Sequence, residues 1–317
     1  MSAEHSENPL KKQKINKACL FLIFTFSISY LLAAIFWLIK GNFNFQVGFI
    51  VLGVIYMFIP FISALIVKKI YKEKLLSNLL ISFKINRWFF FAWLIFPVII
   101  FCSLGITLLF PDISYNPELT GILDRQENVS PEMYQTLKDQ INALPVHYFW
   151  VVLLQGLIAG ITINAIAAFG EETGWRGFLL KEFKDMHFLK AAVYIGAVWG
   201  IWHAPLILMG HNYPQHPVIG VFMMVVFCIL LTPIMQYIAV KSKSVIAAAI
   251  AHGTMNAVAG ISIIATSGGN DLITGITGLP GFITLIIFTA GIFVYDNFIS
   301  KEKIMINKMS NYIFKGE

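Results

Sequence analysis

Charge is what this chain has least of. Asp, Glu, Lys and Arg make up only 13% of its residues, against 57% hydrophobic, and its mean hydropathy is +0.74. That balance excludes an ordinary soluble domain and places the chain among multispanning membrane proteins. Cysteine is scarce too. Cys19, Cys102 and Cys228 are scattered through apolar runs, which speaks against a disulfide framework or a thiolate metal site. His-Glu-x-x-His, the zinc-protease signature carried on one helix, does not occur. No internal repeat stands out, so the usual sign of an inverted-repeat transporter is missing. The formal net charge of +6 reads as lysines on the cytoplasmic side of a membrane, with no nucleic-acid partner.

What the chain does have is long apolar runs. A span needs about 20 apolar residues. Eight stretches qualify: 18–39, 47–67, 88–110, 148–169, 188–209, 218–240, 244–266 and 281–299. The first is too long for a signal-peptide core and reads as an uncleaved span. If all eight alternate, one side collects Lys11, Lys12, Lys14 and Lys17, the basic connection Lys68–Arg87, Arg176, Lys181, Lys184, Lys241, Lys243 and the lysines of the C-terminal tail. The other side holds Lys40, Arg125 and Lys138. The positive-inside rule then puts both termini in the cytoplasm of a multi-pass cell-membrane protein. The expected fold is all-α. It divides into a tail (1–17), three scaffold spans with an outer loop (18–147), a helical core (148–266), and a last span with a basic tail (267–317).

The outer loop 111–147 is acidic, with Asp112, Glu118, Asp124, Glu127, Glu132 and Asp139. Ser130 and Pro131 resemble an N-cap and a first helical residue. Met133, Leu137, Ile141 and Leu144 follow at helical spacing, which predicts a short amphipathic helix on the outer surface. Asn128-Val129-Ser130 fits a glycosylation sequon.

Against this apolar background, Glu171-Glu172-Thr173-Gly174-Trp175-Arg176 is anomalous. A charged side chain in hydrocarbon costs roughly 2.5–3.5 kcal/mol on insertion scales, so such a cluster marks a functional site unless it simply ends a helix. If the helix continues past Phe169, Glu172 and Arg176 stand at i, i+4 and can pair. Glu171 is then turned about 100° away and is free to face a cavity. Two histidines also lie in apolar runs. His203 follows Trp199 by one turn and precedes Pro205, which weakens the helix there. His252 and Asn256 share a helix face. A structural hydrogen bond would account for His203, and close helix packing by the small residues from Ala247 to Ala257 would account for the last segment. His187, His211 and His216 fall near span boundaries and read as interfacial.

A carboxylate, two imidazoles and a carboxamide on three spans suit hydrolysis. The glutamate can take a proton from water, and imidazole and amide donors can stabilise an oxyanion. Two histidines and a glutamate are also a possible zinc set. For the groups to meet, the helix of span 4 has to run on inside the membrane through about residue 183, because His203 lies about 15 residues, or ~22 Å, into span 5.

Glu-Glu-x-x-x-Arg at 171–176, aromatic-x-x-x-His at 199–203 and His-x-x-x-Asn at 252–256, in that order, resemble the CAAX protease and bacteriocin-processing family of intramembrane proteases, also called the Abi family. The resemblance covers roughly 148–266. It implies an eight-helix fold with a cavity open to the cytoplasm and a membrane-associated protein or peptide as substrate near the cytoplasmic face; no cofactor is assigned, and zinc stays possible but not favoured. By the same resemblance Glu171 and His203 would activate water, His252 and Asn256 would form the oxyanion site, and Glu172, Arg176 and Trp199 would support them. Trp199 is a departure, since the second motif often begins with Phe. A non-catalytic immunity or partner-binding member and a proton-coupled transporter are the competing readings. Oligomeric state is not encoded legibly.

Overall fold

The computed structural model describes residues 16–39, 45–123, 125 and 130–314. Lys11, Lys12, Lys14, Lys40, Asp124, Glu127 and the Asn128-Val129 pair of the sequon lie outside the described residues, as does most of the tail 1–17.

Each of the eight apolar stretches is helical. Helices α1 (Lys17–Ile39), α2 (Phe45–Ile70) and α3 (Arg87–Thr107) come first. In α1 the buried residues Ala18, Phe21, Thr25, Ser29, Ala33 and Phe36 recur at three- and four-residue spacing, one stripe of the helix. Leu31 and Leu38 stand exposed between them, as expected of side chains facing lipid. Asn86 caps α3 by accepting from the Trp88 amide at 3.0 Å. The outer loop then carries β1 (Ser114–Tyr115) and the expected surface helix α4 (Pro131–Asn142), whose Ser130 N-cap accepts from the Met133 amide at 3.2 Å.

Span 4 is not one straight helix. It breaks at Thr162 into α5 (Tyr148–Ile161) and α6 (Ile163–Glu172), and the two halves are bent by 48°. The second half continues through a π-helical turn, Thr173–Leu179, into α7 (Leu180–Glu182). The extension past Gly170 is therefore present, with an extra residue in its turns: the Leu180 amide reaches back five residues to the Trp175 carbonyl. Span 5 is α8 (Phe188–Trp202) followed, beyond His203, by the short α9 (Ala204–Leu208). Next come α10 (Pro217–Ser242), α11 (Val245–Val258), α12 (Ile261–Ile264), β2 (Thr266–Ser267) and α13 (Leu279–Val294). Six helices are long and apolar enough to cross a membrane, seven if the bent pair is one span; Phe188–Trp202 is a shorter apolar helix. The chain is a polytopic all-α membrane protein.

Side-chain and backbone bonds separate the two ends of the helical body. At one end Lys17 and Lys68 pair with Glu73, Lys241 pairs with Glu302, the Val245 amide bonds the Leu80 carbonyl, and the Ser310 amide bonds that of Lys184. At the other end β1 and β2 pair antiparallel. There the Arg125 guanidinium gathers the carbonyls of Gly121, Ile263, Thr266 and Gly268 at 2.6–2.9 Å. His216 Nδ1 donates to Asp271 at 2.6 Å. The basic residues thus cluster at the end that carries Lys17 and the C-terminal segment.

Candidate active site

Three local devices place the site. The first is the α6 extension. A Cβ on Gly174 would stand 2.3 Å from the side chain of Pro60, so only glycine lets this segment lie directly on α2. The second is α11. A Cβ on Gly253 would meet the Ala165 amide at 2.6 Å, which is why α6 and α11 approach closely enough for their polar side chains to touch. The small residues of α11 therefore serve packing, and that packing is what delivers His252 to Glu172.

The third device is the break at Pro205. Proline has no N–H to offer the Ile201 carbonyl and disrupts the next turn back. The freed carbonyls are taken by side chains. Tyr30 Oη donates to Ile201 at 2.7 Å, and Tyr56 Oη donates to Trp202 at 2.8 Å. The His203 amide turns to Gly200, and its ring Nδ1 lies 2.8 Å from the Trp199 carbonyl. A carbonyl only accepts, so the hydrogen sits on Nδ1. The neutral ring then offers a lone pair at Nε2.

The two glutamates divide as helical spacing implies. Arg176 Nη1 is 3.1 Å from Glu172 Oε1, Nη2 donates to Thr232 at 3.2 Å, and the guanidinium lies 4.2 Å from the centre of the Trp199 ring. His252 Nδ1 donates to the same Glu172 oxygen at 2.9 Å. Glu172 is thus a shared acceptor that positions both Arg176 and His252, a link that the linear spacing did not reveal. Glu171 instead accepts from the Trp199 indole at 2.7 Å. Trp199 also contacts both imidazoles. Its ring is tilted against His203 at 5.7 Å and stands edge-on to His252 at 5.5 Å. It is therefore a hub between Glu171, Arg176 and both imidazoles.

Glu171, Trp199, His203, His252 and Asn256 all line one cavity of about 380 Å³. Glu171, His203 and His252 are only 2%, 8% and 4% exposed, while Glu172 and Arg176 are wholly buried. Asn256 is exposed into the cavity. Sequence reasoning missed Trp202, which lines the cavity and packs edge-on to His203 at 4.9 Å, with its indole donating to Ser29 at 2.7 Å. It also missed Tyr56 and Thr232. Trp202 was adjacent to His203 in the motif; Tyr56 and Thr232 gave no signal in the sequence. The cavity reaches beyond 148–266, because Phe49, Ile50, Gly53 and Met57 of α2 form one wall.

Among the described residues no three His, Cys, Asp or Glu side chains converge as a ligand set. Each imidazole gives its Nδ1 hydrogen to a protein acceptor, which leaves Nε2 for another partner.

The cavity is lined by loop residues as well as helices. Its loop residues are His211, Asn212, Ile276 and Thr277, at the end opposite the lysine-rich one.

Residues 145–258 match the family model described as type II CAAX prenyl endopeptidase Rce1-like. A stretch of 49 residues is 39% identical to a CAAX prenyl protease 2 of Methanococcus maripaludis, covering 15% of this chain and 18% of that protein. The matched segment contains Glu171, His203, His252 and Asn256, and over residues 145–258 the chain is similar to the Rce1-like CAAX prenyl endopeptidases.

Proposed function

We propose that the chain is an intramembrane endopeptidase of the glutamate type, embedded in the cell membrane and acting on a membrane-associated protein or peptide. The observation that carries this reading is the meeting of Glu171, His203, His252 and Asn256 on one buried cavity. Glu171 takes a proton from a water molecule held between its free oxygen and the His203 Nε2. The water oxygen attacks the peptide carbonyl, and the carbonyl oxygen becomes an oxyanion. His252 and the Asn256 carboxamide donate to that oxygen. Glu171 then returns the proton to the leaving nitrogen as the C–N bond breaks.

The charge balance supports the oxyanion role of His252. Glu171 and Glu172 face a single guanidinium, that of Arg176. An imidazolium at His252, whose Nδ1 is held by Glu172, neutralises the remaining negative charge and leaves Nε2–H as a donor. Trp199 positions Glu171 without taking part in proton transfer.

The test is quantitative mapping of peptide termini in membranes that carry the wild type or Glu171→Ala. Termini present with the wild type and lost with the variant, at equal protein level and thermal stability, are expected. Undiminished turnover by Glu171→Ala, or identical sets of termini, would overturn the glutamate mechanism.

A further inference from the structure

The geometry points to substrate entering from the side of the membrane opposite the lysine-rich end, so that the peptide cleaved is an uncharged, apolar segment exposed outside the cytoplasm. The inference rests on the proposed peptidase reading for its substrate, and on two independent observations for its direction.

The first is the shape of the cavity. Glu171 forms its floor. Toward the lysine-rich end that floor is closed by Trp175, Phe178, Leu179 and Leu180, none more than 1% exposed. Every loop residue that lines the cavity comes from the opposite end: His211 and Asn212 from the loop after α9, Ile276 and Thr277 from the loop before α13. These two loops are tied to each other. Tyr213 Oη donates to the Thr277 carbonyl at 2.7 Å, and Asp271 accepts from the Gln215 amide at 2.7 Å. They form a braced rim.

The second is the charge asymmetry of the two ends. Lys68, Lys74, Lys184, Lys243 and Lys303 belong to the closed end. At the rim end the described basic residues of the outer loop are already engaged. Arg125 is wrapped in backbone carbonyls, and Lys138 pairs with Glu118 at 2.9 Å. Orientation follows lysine and arginine near span ends, so the closed end faces the cytoplasm and the rim faces outward.

The cavity lining sets the chemistry of what enters. Glu171 is its single acidic lining residue among those described, no lysine or arginine lines it, and the walls are Phe49, Met57, Leu206, Met224, Phe227 and Met255. Methionine side chains adapt to varied apolar shapes, and a charged residue would enter at the cost of its hydration. A cavity of about 380 Å³ admits an extended segment and excludes a folded domain.

Two readouts test this. Gln215→Cys and Glu118→Cys place thiols at the rim end, and Lys74→Cys places one at the closed end. All three native residues are exposed, and none belongs to the catalytic set. Intact cells are treated with a membrane-impermeant maleimide and compared with the parent protein, which carries the native Cys19, Cys102 and Cys228. The expected result is labelling of the rim positions at least tenfold above the parent, with Lys74→Cys labelled only after permeabilisation. Labelling of Lys74→Cys in intact cells, with silent rim positions, overturns the proposal. The second readout is the location of the Glu171-dependent termini. Their appearance in extracytoplasmic segments supports the proposal, and their confinement to cytoplasmic segments overturns it. If no Glu171-dependent termini exist, the peptidase reading falls, and the maleimide result decides the orientation by itself.

Discussion

Arg176→Met should damage this protein more than its loss of a single positive charge implies, and a second substitution should repair it. Arg176 and Glu172 are fully buried and paired at 3.1 Å, with His252 and Trp199 sharing the network. Methionine is near in volume, so the loss is one of charge and not of packing. Removing one partner of a buried pair leaves the other charge uncompensated, at about 3–5 kcal/mol. Here the remaining charge is a carboxylate whose neighbour in the chain, Glu171, is also a buried carboxylate. The effect therefore belongs at the upper part of that range. Glu172→Gln in the same background removes the stranded charge and keeps an oxygen to accept from His252. The double variant should then recover much of the loss, with a coupling energy of about 1–3 kcal/mol. Denaturant unfolding in mixed micelles, run on wild type, both single variants and the double, measures the coupling directly. The reasoning is refuted if Arg176→Met lies within about 1 kcal/mol of wild type, or if the double variant equals the sum of the singles.

Tyr56→Phe should cost about 1–3 kcal/mol, because it strands the Trp202 carbonyl released by Pro205; an unchanged unfolding midpoint would refute that account of the break. Strong chelators should leave proteolysis intact, since the described residues do not form a metal ligand set; loss of activity with recovery on adding zinc would contradict it. Burial pushes the Glu73 carboxyl upward, and hydrogen bonds from Lys17 and Lys68 outweigh this, so it is held below its ordinary 4.5. A lowered acid stabilises the folded state above its unfolded value and loses that contribution as pH falls below about 4.5 and through the folded value. Acid unfolding followed from pH 6 to 3 should be less steep in Glu73→Gln; an unchanged pH profile would remove the pair from the account.

The sequence by itself determined the membrane class, the eight apolar helical stretches and the surface helix capped by Ser130, because hydropathy, spacing and caps are local properties. It also separated Glu171 from Glu172, since one turn of helix is enough to assign Arg176 to the second. Only the tertiary structure decided what lies across from what. The bond from His252 to Glu172 spans 80 residues, and the contacts of Tyr30 and Tyr56 with the broken end of α8 span 171 and 146. No periodicity in the chain carries such pairings. The bend at Thr162 was hidden for a related reason: no proline or glycine stands at that position, and the break goes with the packing of α6 on α11. The expectation of a cavity open to the cytoplasm came from the resemblance alone, because lysines report the end on which they lie and say nothing of where a cavity opens.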